Sequence, residues 1–150
     1  MYNFWKSLYA LNLSNNKDKD FKIAQILECN ENALIFDLRQ TFKGRRTKAG
    51  ISLQVSEFEW FKNAIISGNK KVYTLEHGNK VIKVDNTLDE VLITVIKSDN
   101  TERKILIEID ELNKLIANIN EIENKLISRA LEMEIPTKFS DFNYVQQFVQ

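Results

Sequence analysis

The feature that most constrains the fold of this chain is a strand-to-helix pattern that occurs twice, 54 residues apart. Residues 51–58 (ISLQVSEF) align with residues 105–112 (ILIEIDEL). In both copies an alternating run leads straight into apolar positions spaced as on one helix face. The matching helix positions are Phe58 with Leu112, Phe61 with Leu115, and Ile65 with Ile119. Since both junctions share one offset, the sequence predicts one structural unit built twice.

Further alternating runs precede each junction, as expected if each unit begins with a small antiparallel sheet. They cover residues 21–29 and 33–38 in the first copy, and residues 72–76, 80–85 and 90–95 in the second, while residues 2–13, whose period is ambiguous, are a further candidate strand. A sheet covered by one short helix is thin, so the two helices are expected to pack together. The predicted fold class is α+β: two tandem β-β-β-β-α units with antiparallel sheets and helices packed between them, plus a C-terminal tail.

Helix start and stop signals set the predicted boundaries. Ser56 with Glu59 reads as a capping box before the first helix, and Asp110 reads as the cap of the second. Gly68-Asn69 is the predicted stop of the first helix and the join between the copies. The units are expected at residues 1–68 and 69–128, with an extension at 129–150, and the two units are expected to form one compact domain.

The C-terminal extension is rich in aromatic residues. Pro136 stops the second helix pattern, and the residues that follow include Phe139, Phe142, Tyr144 and Phe148. Such side chains either dock on the core of this chain or of a neighbouring subunit, or are displayed to another protein. We expect a homo-oligomer formed through the helices or the tail, with replication or recombination proteins as candidate partners of the tail.

Cysteine usage and hydropathy indicate the compartment. Cys29 is the single cysteine and cannot form an internal disulfide, which favours a reducing environment. The first 13 residues carry one Lys and no uninterrupted apolar core, so they do not read as a signal peptide. No run approaches the ~18 apolar residues of a membrane span. We expect a cytoplasmic protein, in the host cytoplasm if the gene is viral, with no membrane partner.

The residues needed for most enzyme chemistry are missing from the sequence. The one histidine, His77, lies in a predicted turn, whereas nucleophilic catalysis needs a base beside a Ser or Cys. No clustered ligands suggest a metal, and no glycine-rich phosphate loop is present. We therefore expect no enzymatic activity and no cofactor.

A basic segment, residues 39–48 (RQTFKGRRTK), is the strongest functional signal. It holds five cations and no acid, while the whole chain balances 21 basic against 21 acidic residues. The cations are Arg39, Lys43, Arg45, Arg46 and Lys48. They can neutralise phosphates, Phe42 can stack on a base, and Gly44 lets the backbone turn. The alternative is a solvated hairpin without a ligand.

Trp60 is a second candidate residue. It lies about 200° around the first helix from Phe58, at the side or outside of the predicted inward face. In that position it could close an interface between the copies or between subunits, or contact the ligand.

These residues carry a family resemblance. Residues 34–39 (LIFDLR), 43–53 (KGRRTKAGISL) and 57–61 (EFEWF) resemble, in the same order, the transcriptional positive cofactor (PC-four) family of single-stranded-DNA-binding proteins. With the duplication included, the layout also resembles the Whirly and Pur proteins, which carry the four-strand-and-helix unit twice and have a Lys-Gly-Lys motif where this chain has Lys43-Gly44-Arg45.

The resemblance implies a curved pair of sheets with the helices between them, nucleic acid running over the strands, and assembly through the helices. It assigns the five cations of the basic segment to phosphate contacts and puts Trp60 in place of the family's helix tryptophan. The second copy departs from the pattern: residues 98–103 (SDNTER) stand where a basic loop is expected, with only Lys97, Arg103 and Lys104 nearby. Binding is therefore expected to be lopsided within the chain.

Taken together, the sequence predicts a single-stranded DNA-binding protein with little sequence preference, acting in replication, recombination or repair. A phage or organelle origin would suit its small size. Two alternatives stay open. One is a protein-interaction or assembly subunit whose basic segment meets an acidic partner. The other is a single-stranded RNA-binding protein, because a stacking platform tolerates either sugar.

Overall fold

The computed structural model describes residues 5–14, 20–29, 32–67, 71–87, 89–138 and, as backbone, 145–149. Within these ranges the chain forms nine strands and two helices. In chain order they are β1 (Trp5–Asn12), β2 (Lys22–Cys29), β3 (Ala33–Phe42), β4 (Arg45–Gln54), α1 (Val55–Ile66), β5 (Val72–His77), β6 (Lys80–Asn86), β7 (Glu90–Ile96), β8 (Glu102–Glu108), α2 (Ile109–Glu132) and β9 (Val145–Val149). We call β1 to α1 the first unit and β5 to α2 the second unit.

The strands form two antiparallel sheets. The first sheet has the order β1-β2-β3-β4 and the second has the order β8-β7-β6-β5-β9. The predicted α+β class with two antiparallel sheets and two helices is thereby confirmed. The last strands of the two units, β4 and β8, lie against each other, so the two sheets meet along these edges.

Both helices lie between the sheets and contribute to a single core. Helix α1 contacts β3, β4 and β6, while α2 contacts β2, β3, β7 and β8. The predicted inward positions Phe58, Phe61 and Ile65 are at most 2% exposed. On α2 the predicted stripe is buried at Leu115, Ile119, Ile122 and Leu126, and partly buried at Leu112 and Ile116. Packing from both units therefore closes one hydrophobic cluster.

The helix starts differ from the sequence prediction in the same way in both units. Helix α1 begins at Val55 and α2 at Ile109, each two residues before the predicted start. The Glu57 carboxylate accepts the Gln54 backbone N–H at 2.7 Å. In the second unit Glu111 accepts the Glu108 N–H at 2.9 Å. The predicted caps at Ser56 and Asp110 are wrong because these carboxylates cap the helices from the third helical position.

Among the ion pairs that join the units, two run between equivalent elements in opposite directions. Lys22, the first residue of β2, bonds Glu111 of α2 at 2.6 Å. Lys80, the first residue of β6, bonds Glu57 of α1 at 2.7 Å. The second strand of each unit, β2 or β6, thus contacts the carboxylate that caps the helix of the other unit. The two pairs therefore join equivalent positions of the two units, as the duplicated sequence suggests.

The end of the chain adds a fifth strand to the second sheet. The backbone of β9 pairs antiparallel with β5, with Thr74 opposite Gln147. The predicted tail therefore joins its own chain over these residues. Three of its aromatics, Phe139, Phe142 and Tyr144, lie outside the described residues, as does the predicted helix stop at Gly68-Asn69.

Candidate nucleic-acid interface

The basic segment is an extended hairpin rather than a loop. Strand β3 runs to Phe42 and β4 starts at Arg45, whereas the sequence predicted strands only over residues 33–38 and 50–55. The connection is the two-residue turn Lys43-Gly44, with φ of 51° and 77°. Two positive φ angles match the type I′ turn that suits the twist of a hairpin. An irregularity between Arg39 and Thr41 breaks the alternation, which hid the strand from sequence inspection.

Two of the five predicted cations are bound to a buried carboxylate. Asp37 of β3 has no exposed side-chain surface and accepts hydrogen bonds from Arg39 at 2.7 Å, Arg46 at 3.0 Å and Ser52 at 2.7 Å. Burial by itself raises the pKa of Asp37, but the bonds from Arg39, Arg46 and Ser52 outweigh it and hold the pKa below its ordinary value. The carboxylate therefore positions both guanidinium groups and offsets one of their two positive charges.

The two arginines differ in how much surface they keep. The Arg39 side chain is 11% exposed and also donates to the Thr47 carbonyl at 3.2 Å. The Arg46 side chain is 49% exposed. Arg46 can therefore meet an incoming anion, whereas Arg39 mainly organises the hairpin.

Gly50 allows Arg39 to lie flat on the sheet. A Cβ at residue 50 would come within 2.5 Å of the Leu38 carbonyl oxygen and 2.7 Å of Arg39 Nε. Arg39 and Gly50 are register partners across β3 and β4. The Arg39 side chain thus occupies the space that a side chain at residue 50 would fill.

The remaining three cations point into solvent. Lys43, Arg45 and Lys48 are exposed, and none of them forms an ion pair with any residue that the structure describes. Phe42 is 55% exposed, with Lys43 Nζ 5.4 Å from its ring centroid. The turn is anchored by Asp20, which accepts the Lys43 backbone N–H at 2.7 Å. An aromatic ring and three cations thus project from the end of the hairpin.

Trp60 is buried more deeply than its helical position predicts. It is 3% exposed and belongs to the core cluster that both units share, so a position on the outside of α1 is wrong, whereas the predicted role at an interface between the copies agrees with this burial. The prediction assumed one covered helix face, but α1 is enclosed by the first sheet, by α2 and by β6. Within the described part of the chain, its indole Nε1 is the buried side-chain polar atom without a hydrogen-bond partner. Trp60 cannot touch a ligand in this arrangement.

The second unit brings cations to the basic segment. A cavity of about 140 Å³ lies at the seam between the sheets. It is lined by Arg39, Gly50 and Ser52 from the first unit and by Lys80, Val95, Lys97 and Arg103 from the second. Lys97 and Arg103 were noted in the sequence only as a weak counterpart of the basic segment. The duplication in the sequence could have located them. When the two helices pack together, the strands that precede them, β4 and β8, become neighbours.

Comparisons with protein-family models, with curated proteins and with solved structures found no match for this chain. The case for a function therefore depends on the site itself.

Glu57, His77 and Lys80 form a group of titratable side chains away from the basic segment. His77 Nδ1 lies 2.8 Å from one Glu57 oxygen, and Lys80 bonds the other. Glu57 is fully buried and also caps α1. Its oxygens are therefore occupied in joining helix α1 to the second sheet. His77 ends β5, and the turn consists of Gly78 and Asn79.

Two further properties of the described residues bear on the site. They hold no group of three or more His, Cys, Asp or Glu side chains that could bind a metal ion. None of the helices among them is long and apolar enough to cross a membrane.

Proposed function

We propose that this chain binds single-stranded DNA with little sequence preference and acts in replication, recombination or repair. The observation that carries the proposal is the end of the basic hairpin, where the side chains of Lys43, Arg45 and Lys48 are exposed beside the ring of Phe42 and form no ion pair with a described residue. Cations that track a phosphate backbone, combined with a ring that accepts any base, are the chemistry of sequence-tolerant binding to unpaired strands.

We also propose that the chain shares the arrangement of the Whirly and PC-four proteins. Support comes from the two four-strand-and-helix units, the helices enclosed between the sheets, and the extended basic hairpin in the first unit. The nucleic acid would then run along the first sheet and over the seam, where Lys97 and Arg103 add charge.

The cations have different roles in this proposal. Lys43, Arg45 and Lys48 contact phosphates directly, and Arg46 does so with its exposed half. Arg39 is a positioning residue held by Asp37, and Trp60 is a core residue. Within the basic segment, fewer residues contact the ligand in this proposal than the sequence suggested. Outside the segment, the proposed interface extends across the seam between the sheets.

The decisive measurement is fluorescence anisotropy with labelled single-stranded DNA, duplex DNA and single-stranded RNA over a salt series. We expect the single DNA strand to bind tightest, with affinity falling steeply as salt rises. Replacing Lys43, Arg45 and Lys48 with Ala should reduce the slope of log affinity against log salt by about 2, at about 0.7 per lost phosphate contact.

The matched control replaces Lys83, Lys125 and Lys138 with Ala. These three lysines are also exposed, and the net charge changes by the same amount, but they lie outside the hairpin. The control should keep the wild-type slope. An equal decrease in slope in both variants would mean that the effect comes from overall charge and not from the hairpin. Tightest binding to RNA or equal binding to duplex would redirect the proposal to those ligands, and no binding to any of the three would leave the assembly alternative.

A further inference from the structure

The first sheet carries a cleft on the face that points away from the helices. Its volume is about 540 Å³, within the usual range of small-ligand sites. The side chains that line it are Trp5, Ser7, Gln25, Leu27, Ile35, Arg46 and Ser52. None of them belongs to the hydrophobic core cluster of the described residues. The cleft is thus a separate feature of the outer surface.

The floor of the cleft is apolar although no helix covers it. Leu27 and Ile35 are register partners on β2 and β3, and Leu27 is 6% exposed. Their neighbours along the strands, Ile26 and Phe36, face the core instead. Strand alternation therefore places two aliphatic side chains where a solvent-facing sheet ordinarily has polar ones.

An indole forms one wall of the cleft. Trp5 begins β1 and is 44% exposed, in contrast to the buried Trp60. A tryptophan ring and two aliphatic side chains that line the same cleft offer an apolar surface. Flat aromatic ligands, of which nucleobases are one kind, stack on such a ring.

The rim supplies polar groups and one positive charge. Gln25 Nε2 donates to Ser7 Oγ at 3.3 Å, and Gln25 Oε1 accepts from Arg46 at 3.4 Å. Arg46 is held in place by Asp37 yet keeps 49% of its side chain exposed. An amide beside a guanidinium can hydrogen-bond a base edge and meet the adjoining phosphate.

We propose that this cleft holds one unpaired base of a bound strand, stacked on Trp5, with Arg46 on the phosphate of the same nucleotide. The proposal rests on the proposed function and assigns that function a base-binding site. It adds Trp5, Gln25 and the Leu27–Ile35 floor to the interface, and it joins them to the basic hairpin through Arg46.

The test compares oligothymidine with an abasic strand of equal length, which carries the same phosphates and no bases. Trp5→Ala should weaken binding to oligothymidine roughly 5- to 100-fold, the range for loss of one stacked base. Its affinity for the abasic strand should stay within about twofold of wild type, because phosphate contacts are unchanged. Trp5→Phe should retain most of the affinity for oligothymidine, since a ring remains.

Leu8→Ala serves as the matched control, because Leu8 lies on the same strand, is 37% exposed and does not line the cleft. It should bind both strands as wild type does. A second measurement needs no destabilising variant. The chain has two tryptophans, and Trp60 is buried, so oligothymidine should quench the emission of Trp5. The quench should vanish in Trp5→Phe.

The outcomes separate the two proposals. If oligothymidine and abasic strands bind wild type equally, or if Trp5→Ala binds oligothymidine as tightly as wild type, the base site is wrong while strand binding stands. If oligothymidine binds without changing tryptophan emission, the base site is also wrong. If no strand raises the anisotropy of wild type, the proposed function itself falls.

Discussion

At the scale of single residues, Asp37 determines how much of the basic segment is available to a ligand. One buried carboxylate accepts bonds from Arg39, Arg46 and Ser52, and these bonds keep its pKa below the ordinary value. Without an acid at this position, two guanidinium groups would lie side by side on the sheet with no neutralising partner. The acid thus stabilises the hairpin and limits its positive charge.

Asp37→Asn should lower the free energy of unfolding by roughly 3 kcal/mol at pH 7, because it leaves the poorly exposed Arg39 without its counter-charge. The native pKa of Asp37 lies below the unfolded value of about 3.9. The carboxylate's contribution is therefore complete above about pH 4 and is lost as the pH falls through the native pKa. Urea unfolding of wild type and variant from pH 7 down to pH 2.5 should show the gap closing in acid.

Asp89→Asn is the control for this experiment, since Asp89 is exposed. Its unfolding curves should follow those of wild type at each pH. A gap between wild type and Asp37→Asn that persists unchanged at pH 2.5 would contradict the role assigned to the carboxylate.

At the scale of elements, period and offset were enough to predict both helices and every described strand except β9. Alternation located eight strands, and the apolar positions Phe58, Phe61 and Ile65 oriented α1 correctly. Boundaries were harder to predict. The predicted hairpin strands were too short because charged residues and an irregular register mask the alternation. The predicted helix starts were two residues late because Glu57 and Glu111 cap the backbone N–H three residues before them. The burial of Trp60 was not predicted because the sequence pattern identified one buried face of α1, whereas the folded chain covers α1 on several sides.

Gly50→Ala tests the packing inside the hairpin. The added Cβ would meet the Leu38 carbonyl oxygen at 2.5 Å, and this backbone atom cannot move without shifting β3. We expect the free energy of unfolding to fall by about 1–3 kcal/mol, the usual cost of overpacking. We also expect weaker strand binding, because Arg39 is displaced. Thermal unfolding and anisotropy measure the two effects.

Gly44→Ala provides the comparison. Its Cβ would meet nothing within 4 Å, but φ of 77° disfavours a side chain. That variant should lose about 1 kcal/mol from backbone strain alone and keep Arg39 in place. If the two variants bind single strands equally well, the link from Gly50 through Arg39 to the ligand is wrong.

At the scale of the whole molecule, the reciprocal pairs Lys22–Glu111 and Lys80–Glu57 hold the units in register. The duplication in the sequence predicted two related units, but it did not show which surfaces meet. Lysines at the starts of strands and glutamates inside helix starts are common, and only the folded chain shows that they pair across the units. The two ties are also unequal, because Glu57 is fully buried and additionally bonds His77 while Glu111 keeps some exposure.

The inequality predicts different effects for the same substitution. Glu57→Gln should destabilise the fold by about 3 kcal/mol, since it leaves Lys80 without its charge partner at a buried site. Glu111→Gln should cost about 1 kcal/mol, because its site admits more water. Glu59→Gln, on the exposed side of α1, should be neutral. Urea unfolding gives all three values, and a larger loss from Glu111→Gln than from Glu57→Gln would reverse the assignment.

The ties between the units also set an order of events during synthesis. Lys22 is separated from Glu111 by 89 residues, and Glu28 from Arg129 by 101. As the nascent chain leaves the ribosome, the part of the first sheet that α2 covers stays open until residues 109–132 have emerged. Contacts between such distant residues form slowly, and an open apolar sheet invites aggregation. A chain truncated before residue 129 would therefore be suited to capture by chaperones or to degradation.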